Sequence, residues 1–355
     1  MNELPGRTLL SGAVAATALA ACHSRSDERD QTTSLALADR TDAGSGASSS
    51  PIPRRPLGKT GVQVAILGVG GAHLGRTPSE DEATRIVHEA LDAGLNFFDN
   101  AWEYNEEKSE ERLGQALVGK RDQAFVMTKV CTHGRGADVA MQQLEDSLRR
   151  LKTDHLDLWQ VHECVYENDP ELHFAAGGVV EALDKAKQQG KVRFVGFTGH
   201  KDPRIHLKML SRGYAFDTVQ MPLNLFDASF RSFEQQVLPE LARKQIAALG
   251  MKSLAGSGHF VVRGAATAEE ALRYAMSLPV AVTISGMDSL DILHQNLAIA
   301  RGFIPYTDEQ KAALRARVAP LAADGHFELY KASTHFDAAV GREQHGYPTL
   351  EELPL

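Results

Sequence analysis

Beyond residue 53 the chain alternates between two hydrophobic rhythms. Short runs of aliphatic and β-branched residues begin near Ile66, Leu95, Ala124, Leu156, Val192, Thr218, Ile246 and Val280. Each run is followed by a stretch with apolar residues at helical spacing, such as "SEDEATRIVHEALDAG", "AMQQLEDSLRRLK", "GGVVEALDKAKQQG" and "SLDILHQNLAIARG". The first of these opens on Ser79 with Glu82 three residues on, a capping box, and stops at Gly94. Strands alternating with helices predict parallel βα units. Eight units spaced by roughly 30 residues predict a closed (β/α)8 TIM barrel rather than an open sheet.

The flanks of this pattern read differently. "RRPLGKTGVQVAI" predicts an N-terminal hairpin turning at Lys59-Thr60-Gly61 and plugging the barrel bottom. After Gly302, "TDEQKAALRARVAPLAADG" predicts one further helix, a C-terminal helical extension, and then a tail with aromatic and histidine residues. The division that follows is a leader over 1–22, a linker over 23–53, the barrel over 54–306 and the helix and tail over 307–355. The linker is rich in Ser, Asp, Ala and Gly and has too few large apolar residues to offset the entropy of ordering it. In the leader, "TLLSGAVAATALAAC" is too short to span a bilayer and follows Arg7. Its end, Leu19-Ala20-Ala21-Cys22, resembles the lipobox of bacterial lipoprotein signals. That resemblance implies a membrane tether through lipidated Cys22 and a cell-envelope location; Glu3 and the single arginine of the head favour the alternative, a cytoplasmic protein.

Composition narrows the partners. The 355 residues are 43% hydrophobic, with a net charge of -8 and a pI near 6.0. With no basic tract to neutralise phosphates, a nucleic-acid partner is not expected. The glycine-rich "GVGGAHLG" has His73 where a dinucleotide fingerprint needs its third glycine, so it reads as a barrel-mouth turn.

Chemistry in such a barrel gathers at the C-terminal ends of the strands. Asp99 closes the second run, "LNFFD"; Lys129 closes the third, "AFVMTK"; His162 closes the fourth, "LDLWQVH"; Tyr104 lies just past Asp99. Singly, each has an ordinary structural explanation. Together at neighbouring strand ends they form a proton-transfer group. A phenol is a poor acid at neutrality, and a nearby ammonium is expected to lower its pKa. A carboxylate holds the lysine in place, and an imidazole orients a carbonyl oxygen or relays a proton.

"GLNFFDNAWEYNEEKSEERLGQAL", "TKV" and "DHLDLWQVH" resemble the aldo-keto reductases over residues 54–302. The resemblance implies an NAD(P)-dependent oxidoreductase that interconverts a small-molecule carbonyl and an alcohol, with Asp99, Tyr104, Lys129 and His162 as its tetrad and Tyr104 as general acid. "NEEK" replaces the shorter glycine-type turn common in that family, so the pocket rim is expected to differ. The resemblance also assigns cofactor roles. Thr198 and Gln220 would hold the carboxamide, Lys252, Ser253 and Leu254 the diphosphate, and Ser285, Gly286, Asp288 and Asn296 the adenosine end. NADP(H) is the family cofactor, but Met287, Asp288 and Ile292 stand where a base for the 2′-phosphate is usual, which brings in NAD(H).

Two other functions compete. Cys131, His133, His162, Cys164 and His200 fall at or beyond strand ends and could make a metal-dependent hydrolase, although they include no tight ligand pair and Lys129 would crowd the ion, so no metal is assigned. A non-catalytic or slow nucleotide-holding subunit on the same barrel is the other. Trp102, Phe226, Phe327, Tyr330, Phe336 and Tyr347 are candidates for a substrate pocket or for packing. Cys131 and Cys164 stand at equal offsets from Lys129 and His162, which raises the expectation of a disulfide across neighbouring strands, weighed against two separate buried thiols.

Overall fold

The hairpin and the barrel share one apolar layer, and that layer sets the height of everything above it. The computed structural model describes residues 50–131, 136–336, 342, 347–349 and 351–352. Strands β1 (Arg54–Pro56) and β2 (Gln63–Ala65) pair antiparallel. The barrel strands are β3 (Leu67–Gly70), β4 (Phe97–Asp99), β5 (Phe125–Val130), β6 (Leu156–Val161), β7 (Val192–Thr198), β8 (Thr218–Pro222), β9 (Ala247–Met251) and β10 (Val282–Gly286). They pair in parallel in chain order, and β10 closes on β3. Every strand begins at the residue the hydrophobic pattern marks or one or two residues later.

Side chains on a strand alternate between faces, so one face can be followed upward in steps of two. Phe97, Phe125, Met127, Leu158, Leu249, Val282 and Ile284 fill the lower lumen, sealed from below by Leu57 and Val64 of the hairpin. A Cβ on Gly58 would lie 3.0 Å from the Ala247 nitrogen, so the hairpin turn seats directly on the barrel floor. One step higher the same faces carry Asp99, Lys129 and Gln160, all buried. The polar layer therefore rests on an apolar plug.

Helices cover the outside with amphipathic faces. Glu80–Asp92 buries Ala83, Ile86, Val87 and Ala90, spaced as the sequence predicts. Its N-cap Ser79 accepts from the Glu82 nitrogen at 3.1 Å, and Gly94 beyond it adopts a φ of 97°. Full reciprocal capping boxes form at Thr267–Glu270 and at Thr307–Gln310. Helices Lys108–Ala116 and Ala137–Arg150 approach so closely that a Cβ on Gly114 would lie 2.3 Å from the Arg150 carbonyl oxygen. That approach delivers the Arg150 side chain beneath the loop after β4.

The extension begins with the helix Asp308–Ala322 and returns to the barrel mouth as the short helix Leu329–Ala332. Lys331 is fully buried, with its Nζ 2.6 Å from Asp227 Oδ1 and 3.0 Å from Glu328 Oε1. Asn224 Nδ2 donates to Glu328 Oε1 and to the Tyr330 hydroxyl. This network fastens the returning segment to the loop after β8.

Among the described residues, no helix is long and apolar enough to cross a membrane. The leader with Cys22, and His133, lie outside the described residues.

Candidate active site

The barrel brings the four sequence-picked residues to one point. Asp99 ends β4, Lys129 lies in β5, and His162 follows β6, its backbone nitrogen donating to Val130 O. Tyr104 sits in the loop after β4. Lys129 Nζ is 2.6 Å from Asp99 Oδ1, 2.6 Å from Asn100 O and 3.4 Å from the Tyr104 hydroxyl. Lys129 also lies 4.8 Å from the Tyr104 ring centroid, and the rings of Tyr104 and His162 meet edge-to-face at 5.7 Å. The Lys129 and Asp99 side chains are 1% and 5% exposed, so each charge depends on the other.

One expectation is overturned. The tyrosine is not a lowered-pKa acid. Enclosure of its hydroxyl pushes the pKa well above the ordinary value, and the charges of Asp99, Glu103 and Glu163 add to the rise. Lys129 is already claimed by Asp99, and two carboxylates that the sequence reading passed over face the phenol as well.

Those carboxylates belong to pairs that strand-end counting does not show. Glu103 Oε1 hydrogen-bonds His162 Nδ1. Glu163, at a φ of 53°, lies 3.4 Å from His200 Nε2. Burial alone would raise the Glu163 carboxyl, but the His200 hydrogen bond and the charges of His162, His200 and Lys252 hold it at about 2. Level with Lys129 on the neighbouring strand, Gln160 Nε2 donates to Thr218 Oγ1 at 2.7 Å. The signal for Glu103 was its place one residue before the tyrosine, on the loop that must fold over the barrel mouth.

That loop is strained. Asn105, Glu106 and Glu107 all adopt positive φ, at 55°, 53° and 76°, without a glycine among them. Each costs on the order of 1 kcal/mol or more. Arg150 offsets this from below. Its guanidinium, 2% exposed, reaches Glu107 Oε1 at 2.6 Å, Glu110 Oε2 at 3.2 Å and Trp102 O at 3.1 Å, and lies 4.8 Å from the Trp102 ring centroid. Trp102 is thereby engaged with Arg150, while Phe226 packs on Phe260 and Phe327. The rim does differ from a glycine turn, and a buried arginine holds it.

The nicotinamide-type residues present a matched donor and acceptor. Gln220 Nε2 points to Asp99 Oδ1 at 3.4 Å, leaving its buried Oε1 without a hydrogen-bond partner. Thr198 Oγ1 accepts from the Glu163 nitrogen at 3.3 Å and keeps its own proton to donate. An acceptor and a donor at adjacent strand ends fit a primary amide. The loop after β9 carries left-handed Lys252, Ala255, Gly256 and Gly258 and leads to His259–Val262; Ser253 is buried and Leu254 packs on the core. Lys252 Nζ lies 5.2 Å from the Tyr330 ring and 5.4 Å from the Phe336 ring, both on the returning C-terminal segment. Beyond β10, Asn296 Nδ2 meets Ser285 Oγ at 3.3 Å, a Cβ on Gly286 would strike the His73 ring, and Asp288 precedes the N-cap Ser289.

Of the two cysteine readings, two separate buried thiols is the one observed. Lys129 pairs with Gln160, not His162, so Cys164 stands two residues beyond the position opposite Cys131. Cys164 turns instead to β7, its nitrogen donating to Thr198 O, and both cysteines are buried and outside any disulfide. Among the described residues, no three His, Cys, Asp or Glu side chains could together hold a metal ion. A separate cavity of about 570 Å³ opens at the opposite barrel end, beside Arg121, Asp157 and Arg193, whose charges pair with one another.

The family model described as "Aldo/keto reductase family" matches residues 66–263. The chain is similar to L-galactose dehydrogenase of Arabidopsis thaliana, 34% identical over 158 residues, which are 42% of this chain and 49% of that protein. It is similar to 6-dehydroglucose reductase of Novosphingobium aromaticivorans, 34% identical over 177 residues, 44% of this chain and 56% of that protein. The matches thus span about half the length of these curated relatives. A structure of an aldo/keto reductase from Klebsiella pneumoniae in complex with NADP and acetate superposes with a TM-score of 0.60 at 24% identity, covering 74% of this chain and 93% of that one.

Arg150→Leu is expected to destabilise the protein by roughly 3–5 kcal/mol, since it leaves the buried Glu110 without its charge partner. Urea unfolding measures the loss. The double variant Arg150→Leu, Glu110→Leu should recover a large part of it; no recovery would show that the two residues are not coupled.

Proposed function

Because the chain belongs to the aldo/keto reductase family, we propose that it is an NAD(P)H-dependent oxidoreductase interconverting a small carbonyl compound and an alcohol. One observation carries this reading above all: a buried ammonium, Lys129, is held between the Asp99 carboxylate and the Tyr104 hydroxyl. A structural tyrosine has no need of such a partner. The nicotinamide cofactor, when bound, supplies the hydride in reduction and takes it up in oxidation.

The chain's own residues manage the proton. Tyr104, with its raised pKa, stays protonated through neutrality and has a proton to give to the carbonyl oxygen. Lys129 stabilises the phenolate left behind, and Asp99 keeps Lys129 charged and aimed. His162, fixed through Nδ1 by Glu103, walls the pocket beside Tyr104. Gln220 Oε1 and the Thr198 hydroxyl would hold the carboxamide, Lys252, Ser253 and Leu254 the diphosphate, and Ser285, Gly286 and Asn296 the adenosine end. NADP, present in the Klebsiella pneumoniae structure, is the cofactor expected of this family. The acidic Asp288 beside the adenosine end supports use of NAD(H) as well.

We further propose that the leader directs export and that Cys22 carries a lipid anchor. The apolar run ending in Leu19-Ala20-Ala21-Cys22 and the polar linker behind it support this reading.

Three outcomes test these proposals. Tyr104→Phe should lower carbonyl reduction by about 10² to 10⁴ while NADPH binding, followed by its fluorescence, stays near the parent value. Near-normal turnover in that variant would refute the role of the hydroxyl. Asp288→Arg should raise the ratio of NADPH to NADH affinity, by roughly tenfold for about 1.4 kcal/mol of charge interaction; an unchanged ratio would place Asp288 away from the ribose. Full-length protein in a bacterial host should fractionate with membranes, and Cys22→Ala should release it or block its processing. Recovery of unprocessed, soluble parent protein would rule out the anchor.

A further inference from the structure

The floor of the barrel, where the strands begin, carries a charge opposite to that of the whole chain. The net charge is -8, yet cations gather at this end. Arg54 and Lys59 belong to the hairpin, Lys120 to the turn before β5 and Lys152 to the turn before β6, and all four reach solvent. Among the described residues none of the four has a carboxylate at ion-pair distance; Arg54 donates to Gly94 O and Lys152 to Gln115 Oε1. Arg193, near the start of β7, pairs with Asp157 and still has 49% of its side chain exposed. The exposed carboxylates on the turns before β5 and β6 are Asp122 and Asp154, and Asp154 is engaged with His155. Bases at helix C-termini balance the helix dipole. None of these five cations lies in a helix, so that explanation does not reach them.

The cations ring the floor. Arg54 stands by the turn before β4, and the hairpin tip with Lys59 packs beside Gln245, ahead of β9. Exposed apolar side chains share the face. Ile304 and Val118, at 69% and 61%, are the most exposed large hydrophobic residues among those described. Val118 lies on the turn before β5. Ile304 lies on the loop after the helix Leu290–Arg301, and the Tyr306 nitrogen fastens that loop to Ser277 Oγ, just ahead of β10. Arg55 joins the loop to the hairpin: it donates to the carbonyls of Met276, Leu278 and Val280 and lies 5.7 Å from the Phe303 ring centroid. The leader and linker are connected here as well. The Pro53 carbonyl accepts from the Ile66 nitrogen at the root of β3, so the chain enters the barrel from its floor.

We propose that the barrel floor docks on an anionic membrane surface and holds the barrel mouth towards solvent. Head-group phosphates would meet the unpaired ammonium and guanidinium groups, while Ile304 and Val118 enter the boundary of the acyl chains. The negative charge carried by the rest of the molecule is repelled by the same surface, which sets the orientation. The choice of a membrane over another polyanion rests on the anchor reading above: a lipid on Cys22 would deliver this face to the bilayer, and a lipid chain with a basic patch holds more firmly than either alone. A nucleic acid offers the phosphates without an apolar layer for the aliphatic side chains. By itself the floor binds weakly and is released by salt.

The full chain carrying Cys22→Ala, and therefore no lipid, is the protein to test. It is co-sedimented at low ionic strength with vesicles of phosphatidylcholine alone or with about 30% phosphatidylglycerol. Binding should be confined to the phosphatidylglycerol vesicles and disappear in about 1 M salt, where the Debye length is about 3 Å. Lys120→Glu with Lys152→Glu should weaken it by about tenfold or more, and Ile304→Ser by about threefold or more. Lys59→Glu replaces the double variant if circular dichroism shows that one unfolded. Lys108→Glu with Arg204→Glu, two reversals of exposed charges on the mouth side, should leave binding unchanged. Equal sedimentation with both kinds of vesicle would overturn the proposal, as would equal weakening by the mouth-side pair. So would binding to a duplex DNA probe as tight as to the phosphatidylglycerol vesicles. The anchor is judged separately: a floor that binds while Cys22 of the parent stays unmodified in the bacterial host refutes the anchor alone, and a lipidated parent whose floor ignores phosphatidylglycerol refutes the docking alone.

Discussion

A lysine ammonium cannot sit inside a barrel lumen unless a countercharge sits with it. Removing either partner would leave an unpaired charge above an apolar plug, at a cost of several kcal/mol. The rest of the site is arranged around this demand. Asp99 and Lys129 come from adjacent strands, Lys129 two residues beyond the register position opposite Asp99, and the Asn100 carbonyl also accepts from the ammonium. Gln220 orients its amide nitrogen to the same carboxylate, which leaves its buried oxygen without a hydrogen-bond partner. The Asp99–Lys129 pair thus fixes both the partner of the Tyr104 hydroxyl and the orientation of the Gln220 amide, and it does so because burial makes its alternatives costly.

A second demand is placed on the loop above the pair. Three successive left-handed residues would not hold that shape unaided. Arg150 satisfies a carboxylate, a backbone carbonyl and an indole face at once, and its helix is brought close enough by Gly114. The position of Tyr104 therefore depends on a contact between two outer helices, far along the chain from the tyrosine itself.

How much of this could be read from the sequence follows from the range of each interaction. Strand positions were legible because alternation and helical spacing are local, and Asp99, Lys129 and His162 were legible because they close apolar runs. Glu103, Glu163 and Arg150 were not, since each acquires its meaning from a partner on another element. The pKa of Tyr104 was misjudged for the same reason: the lysine was counted and two carboxylates were not. Equal offsets of the two cysteines could not by themselves decide between a bridge and separate thiols, because they say nothing of register, and the pairing of Lys129 with Gln160 shifts one strand by two residues. The network of Asp227, Glu328 and Lys331 gave no local signal, as Asp227 lies about a hundred residues from the other two.

That network has a consequence for modular exchange. A buried lysine shared between a carboxylate on the loop after β8 and one on the returning segment makes the two inseparable as a unit of recombination. Transplanting the C-terminal segment from another barrel without its matching loop would bury a carboxylate or an ammonium alone. Diversification of this mouth, in a laboratory or in a lineage, must therefore proceed by paired replacement, with residues 224–232 and 327–332 travelling together.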